Sequence, residues 1–120
     1  MLTSKNIVWG GGTVLATVLF ALTTAAKAPQ VREVTVRAQG YAFSPARVEV
    51  QKDEIVKVTF TAADMPHSFT IDEYRIAKRA GQGQTVTFEF RADRPGEYPF
   101  FCNLTQDDRC KGMRGTLIVK

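Results

Sequence analysis

The chain has 120 residues, 44% of them hydrophobic and 23% charged, with a net charge of +4. This is the size and composition of one ordinary globular domain. Basic and acidic residues are interspersed, there is no internal repeat or low-complexity segment, and the densest basic spot (Arg75, Lys78 and Arg79 in "RIAKRA") reads as a solvated loop, so no nucleic-acid partner is expected.

The first predicted element is apolar. "IVWGGGTVLATVLFALTTAA", Ile7 to Ala26, carries no charge, follows Lys5 and ends in Ala26-Lys27-Ala28. A basic start, an apolar run and an A-x-A-like end describe an export signal. Pro29 is an awkward residue to follow a cut after Ala28, and the run is also long enough to cross a bilayer uncleaved. Residues 1–28 are therefore expected to be either a signal peptide or a helical membrane anchor. A buried soluble helix is disfavoured because the segment is apolar all round. Under either leading reading residues 29–120 form the folded domain and lie outside the cytoplasm, with Lys5 on the inner side. Without residues 1–28, 14 basic and 12 acidic residues remain, so charge says little about partners.

After Pro29 the hydrophobic period becomes two. Val34, Val36 and Ala38 share one face of "VREVTVRA"; Val48 and Val50 alternate with polar neighbours; Val56, Val58 and Phe60 do the same in "EIVKVTFTA". "HSFTID" sets His67, Phe69 and Ile71 against Ser68, Thr70 and Asp72, and "QTVTFEFRAD" sets Val86, Phe88 and Phe90 against Thr85, Thr87 and Glu89. "GEYPFFC" and "GTLIVK" complete the set. Turn signals separate the runs at Gly40, Ser44-Pro45, Lys52-Asp53, Asp64 to Pro66, Gly81 to Gly83 and Arg94 to Gly96. About seven short alternating strands predict an all-β sandwich or small barrel. No helix is expected after Pro29, and Asp72 to Gly83 reads as a long connection.

The chemistry-bearing residues are few. The single histidine, His67, opens one predicted strand, and Cys102 closes another on the face of Tyr98 and Phe100. Both should face inward, and they can meet if those strand ends lie at the same pole. Cys110 and Met113 follow in the next loop. Thiolate and thioether ligands suit Cu(I), and imidazole also suits copper. The competing reading is a Cys102–Cys110 disulfide, natural in an exported domain and permitted by spacing if the Cα atoms approach within about 7 Å. Both remain open at this level. "GQGQ" opens a strand rather than a helix and is no phosphate loop. The acids are dispersed, and a Cys102–His67 nucleophile pair is less apt than a ligand pair. No catalytic residue, and hence no enzyme, is expected.

From Tyr41 onward the chain resembles the cupredoxins, the copper-binding β-sandwich family. "YAFSPARVEV" is similar to the family's F-x-P-x-x-(I/V)-x-V segment, "DMPHSFTIDEY" to its histidine strand, especially in the periplasmic domain of cytochrome oxidase subunit II, and "FEFRADRPGEYPFFC" to the strand and Pro-Gly turn before the ligand cysteine. The resemblance covers about eighty residues with the segments in the family's order. It implies a Greek-key sandwich, a copper cofactor and electron transfer, with a redox or copper-transfer protein as partner. The oxidase-type loop C-x3-C-x3-H-x2-M is altered: counting from Cys102, Gln106 stands at the second cysteine and Cys110 at the histidine, while Met113 is kept. A dinuclear centre is therefore not expected, and a mononuclear blue site lacks its second imidazole. The ligand set that the resemblance leaves is His67, Cys102, Cys110 and Met113, holding one copper as Cu(I) or Cu(II). The use is electron transfer or copper handling; the alternative is a metal-free, disulfide-stapled binding or assembly module. If the two thiols interconvert with a disulfide, the dithiol would favour Cu(I) and oxidation would release it.

Overall fold

In "IVKVTFTA" the buried residues Val56, Val58, Phe60 and Ala62 alternate with half-buried Ile55, Lys57, Thr59 and Thr61, as a strand with one face on a core requires. The computed structural model of the protein describes Thr17, Ala28 and residues 30–120. The apolar helix expected over Ile7–Ala26 and the boundary at residue 28 lie outside the described residues.

In chain order the strands are β1 (Val31–Gln39), β2 (Ala42–Ser44), β3 (Arg47–Val50), β4 (Ile55–Ala62), β5 (His67–Ile71), β6 (Ile76–Ala80), β7 (Thr85–Arg91), β8 (Gly96–Phe101) and β9 (Arg114–Val119). They form two sheets, ordered β2-β1-β4-β7 and β3-β9-β8-β5-β6. Most neighbours are antiparallel, but β1 runs parallel to β4 and β3 parallel to β9. The chain crosses between the sheets after β2, β3, β4, β6 and β7, giving a two-sheet β-sandwich. The helical elements among the described residues are two 3₁₀ turns, Asp72–Tyr74 and Cys110–Gly112.

Nine strands replace the expected seven or so. The two additions are β2, only three residues long, and β6, inside the stretch read as a long connection. Sequence reading misses β6 because Ala77, Lys78 and Arg79 are all exposed, so no alternation survives. The strand is an edge, and charged residues on an edge deter further pairing. Strand β5 also departs from simple alternation, since all five of its residues are buried. It lies between β8 and β6, and its outer-face Ser68 is tied to Asn103.

The core between the sheets is aromatic. Phe69 stacks on Phe100 with centroids 4.8 Å apart, Phe43 meets Phe100 edge-on at 5.1 Å, and Phe60 and Phe88 flank Phe69 at 5.8 and 5.7 Å. Such pairs add about 0.5–1.5 kcal/mol each beyond area burial. Gly115 faces Phe100 across the β8–β9 ladder, and the Phe100 ring lies where a Gly115 Cβ would be. At the pole where β1 begins, Glu54 is buried and takes Arg32 Nε–H at 2.9 Å and the Gln51 backbone N–H at 2.8 Å. At the other pole β1 ends in the turn Gly40-Tyr41, and there the candidate residues gather.

Candidate metal centre

The strand ends bring the two halves of the candidate site to one pole. β5 and β8 pair through Thr70 and Phe101, and their ladder is continued by side chains: the Ser68 hydroxyl donates to Asn103 Oδ1 at 2.6 Å and accepts the Asn103 N–H at 2.7 Å. His67 and Phe69 share the inner face of β5, as Phe100 and Cys102 share that of β8, so His67 and Cys102 both point into the sandwich at this end. Carrying the β8–β9 register one step past Phe101–Arg114 sets Met113 opposite Cys102. His67 is 0% exposed, and Cys102, Cys110 and Met113 are each 1% exposed.

Cys102 and Cys110 are joined as a disulfide with Cα atoms 5.2 Å apart. Each sulfur also accepts a backbone N–H, Cys102 Sγ from Ser68 at 3.3 Å and Cys110 Sγ from Leu104 at 3.2 Å. With the pair closed, no group of three or more His, Cys, Asp or Glu among the described residues is placed to hold a metal.

His67 is held by a residue the sequence reading passed over. Asp64 Oδ1 lies 2.8 Å from His67 Nε2, and its Oδ2 takes the Gly40 N–H at 2.8 Å. An ionised carboxylate can only accept, so His67 Nε2 carries the proton and, in the neutral ring, the lone pair is on Nδ1. That Nδ1 is buried and has no hydrogen-bond partner among the described residues. Metal-binding histidines are commonly set in this way, one ring nitrogen on a carboxylate and the other free for the metal. Thiolate, thioether and imidazole are donor types that suit copper, and the joined cysteines are not free to supply the thiolates.

Tyr41 is the other unforeseen member. Gly40 and Tyr41 both have φ of +60° in the two-residue turn between β1 and β2, the primed-turn conformation that hairpins favour. For tyrosine this left-handed backbone costs on the order of 1 kcal/mol. It sets the Tyr41 ring edge-on to His67, with centroids 6.1 Å apart, and lets its hydroxyl donate to Asp107 Oδ2 at 2.6 Å. Arg109 lies over the same ring at 4.3 Å. An acid three residues before a lone histidine is a signal that could have marked Asp64. Nothing local marks Tyr41, Asp107 or Arg109.

Both aspartates are held below the ordinary value of 3.8, Asp64 chiefly by the Gly40 N–H and then by His67, and Asp107 chiefly by the Tyr41 hydroxyl and then by the Arg109 N–H. The same bond raises the Tyr41 hydroxyl above its usual 10.0. A carboxyl whose pKa is depressed in the folded state contributes stability that is fully present above its unfolded value and is lost as pH falls through the folded one. Denaturation midpoints should therefore fall below about pH 4, near the unfolded aspartate value. Asp107→Asn should flatten that decline while leaving the neutral-pH spectrum native. An unchanged acid slope in the variant would remove Asp107 from the account.

The cupredoxin-like domain family matches the chain over residues 12–119. Cytochrome c oxidase subunit 2 of Thermus thermophilus is 28% identical over 92 residues, which is 77% of this chain and 68% of the relative. A second cytochrome c oxidase subunit 2 of the same species matches at 28% over 77% of this chain, which spans only 55% of that relative's length. Among solved structures, the chain resembles a heme-copper terminal oxidase dimer (TM-score 0.69, 19% identity, covering 76% of this chain and 65% of that one). It also resembles the metal-binding domain of the Streptococcus pneumoniae Cu(I)-exporting P-type ATPase CopA (0.65, 18%, 78% and 90%) and auracyanin A, a blue copper protein of Chloroflexus aurantiacus (0.64, 16%, 75% and 99%). At these identities the structural likeness speaks for the fold.

Proposed function

The chain belongs to the cupredoxin-like domain family, and on that footing we propose that it is an extracytoplasmic copper-binding protein that holds one Cu(I) in its dithiol form. His67 Nδ1, the Cys102 and Cys110 sulfurs and the Met113 thioether are the ligands. The observation that carries this reading is the buried His67 Nδ1, without a hydrogen-bond partner among the described residues, at the pole of the two cysteines, its other nitrogen fixed on Asp64. A buried polar atom without a partner carries a free-energy cost and calls for an explanation, and a metal supplies one. Two thiolates, a thioether and one imidazole form a soft set that suits Cu(I).

Copper handling fits this set better than electron transfer. Blue electron-transfer sites use two imidazoles with one thiolate, and the chain has a single histidine. The bound copper would supply carriage of Cu(I) and exchange with Cu(II); the protein's part is to bind, orient and exclude water. The partner is then a protein that delivers or receives copper, or, in the electron-transfer use, a redox protein. Residence outside the cytoplasm is supported by the uncharged Ile7–Ala26 run behind Lys5, and any membrane contact would be through that run. No catalytic role is assigned. The disulfide favours a second reading, a metal-free stapled module for binding or assembly.

Anaerobic titration of reduced and oxidised protein with Cu(I) against a chromophoric chelator separates the two. The reduced form is expected to take up one equivalent, with affinity more than about 100-fold above the oxidised form, because two of four ligands are lost on oxidation. Equal affinities would leave the stapled module standing.

A further inference from the structure

We infer that the Cys102–Cys110 bond is a reversible gate that a dithiol reductant opens within the folded protein, and that Tyr41 latches the loop covering it. The gate's role in copper release rests on the copper reading; its chemistry does not.

The sulfurs are held in place by contacts that do not depend on their bond. Cys102 directly follows β8, where Ser68 and Asn103 exchange hydrogen bonds of 2.6 and 2.7 Å, and Cys110 opens a 3₁₀ turn whose Met113 N–H returns to the Cys110 carbonyl at 3.0 Å. The intervening loop is pinned by the Tyr41 hydroxyl on Asp107 and by Arg109 over the Tyr41 ring. Breaking the S–S bond therefore leaves both sulfurs near their present positions. Phe69 and Phe100 stack between the sheets, and Cys102 and Cys110 pack into the same buried core.

The backbone also favours the open state. The Ser68 and Leu104 N–H groups, each aimed at one sulfur, bond more strongly to an anionic sulfur than to a disulfide sulfur. The Ser68 donor sits on β5, and the Leu104 donor sits on the loop that returns over the bond once exchange is complete. A disulfide whose reduced form is stabilised in this way is of the labile rather than the permanent kind.

Access is what the fold restricts. Both cysteines are 1% exposed, whereas Asn103, Thr105, Gln106, Asp108 and Arg109 above them are exposed. A reductant reaches the bond when this loop lifts, which requires the Tyr41–Asp107 bond to break. In the exchange, a thiolate of the dithiol donor attacks one Sγ and the S–S bond breaks, leaving a mixed disulfide while the other cysteine departs as a thiolate that keeps its backbone N–H, the proton of the donor's second thiol going to water in the next step. The donor's second thiol then attacks the mixed disulfide, freeing the second cysteine; the donor becomes a disulfide, and two electrons have passed to the pair.

The test treats the full chain with graded dithiothreitol without denaturant, traps thiols with a maleimide for mass measurement, and follows folding by circular dichroism. The expected result is complete reduction with the native spectrum retained, reversed by an oxidant. Tyr41→Phe should be reduced about fivefold faster, the effect of losing one ordinary hydrogen bond, with an unchanged end point. Asp107→Ala, which removes the other half of the latch, should act alike and serves if the tyrosine variant fails to fold. Reduction only in denaturant, or reduction that abolishes the native spectrum, overturns the gate. Unaltered rates in both variants overturn the latch. Repeating the end-point measurement with Cu(I) tells the two readings apart: a shift toward the dithiol supports both, whereas native, reversible reduction indifferent to Cu(I) keeps the gate and overturns the copper reading.

Discussion

Cys102→Ser is expected to lower the Cu(I) affinity of the reduced protein by more than about 100-fold, beyond the 10–100-fold typical of losing an outer partner of a metal ligand. Serine keeps the shape of the strand end but offers a hard hydroxyl where a soft thiolate is needed. The substitution also prevents the disulfide. In the loop-entropy model that removes about 2–3 kcal/mol for a loop this short, the separation being eight residues. Cys110→Ser loses the same staple, so the two variants should melt alike, and chelator competition then reports ligation separately from stability. If Cys102→Ser melted as expected yet bound Cu(I) within about threefold of the reduced parent, where loss of a soft ligand demands far more, the sulfur would be structural only.

Gly115→Ala should be the most damaging single change to the fold, at about 3 kcal/mol, which for a domain of this size lowers the melting temperature by roughly 10–20 °C. The reason is steric and specific: the Phe100 ring lies over the Gly115 α-carbon and occupies the position a Cβ would take. Phe100 is fully buried, stacked on Phe69 and met edge-on by Phe43, so the ring has nowhere to retreat without disturbing two aromatic contacts. Phe100→Leu alone should also destabilise the protein, by loss of those contacts. In the Gly115→Ala background the leucine should recover part of the cost, because the overlap is relieved. Thermal or urea denaturation of the four proteins in a double-mutant cycle measures that coupling. Additive losses would show that the glycine matters for some reason other than the ring.

Hydrophobic alternation made most of the sandwich legible. Val56, Val58 and Phe60, like Val48 and Val50, are assigned to an inner face by their spacing alone, and they lie there. The same parity turned His67 and Cys102 inward, and both are buried at strand ends that meet. Where the cue was absent, the reading failed. β6 presents exposed Ala77, Lys78 and Arg79 at a sheet edge, and an edge strand has no need of a buried face along its middle.

The contacts that give the pole its chemistry were beyond local reading. Ser68 meets Cys102 across 34 residues, and Tyr41 meets Asp107 across 66. Periodicity reports which face a side chain takes, but not which partner the other sheet or a distant loop brings to it. By itself, then, the sequence determined the class of fold, the inward set of the regular strands, and the placement of the single histidine and of Cys102 at strand ends. Only the tertiary structure decided that the cysteines are joined, that Asp64 fixes His67 with Nδ1 free, and that Tyr41 secures the loop above them. Strand pattern is written residue by residue in local hydrophobicity, whereas the Tyr41–Asp107 pairing depends on a distance between segments that only the closed sandwich sets, and the Asp64 and cysteine pairings on loop geometry that hydrophobicity does not report.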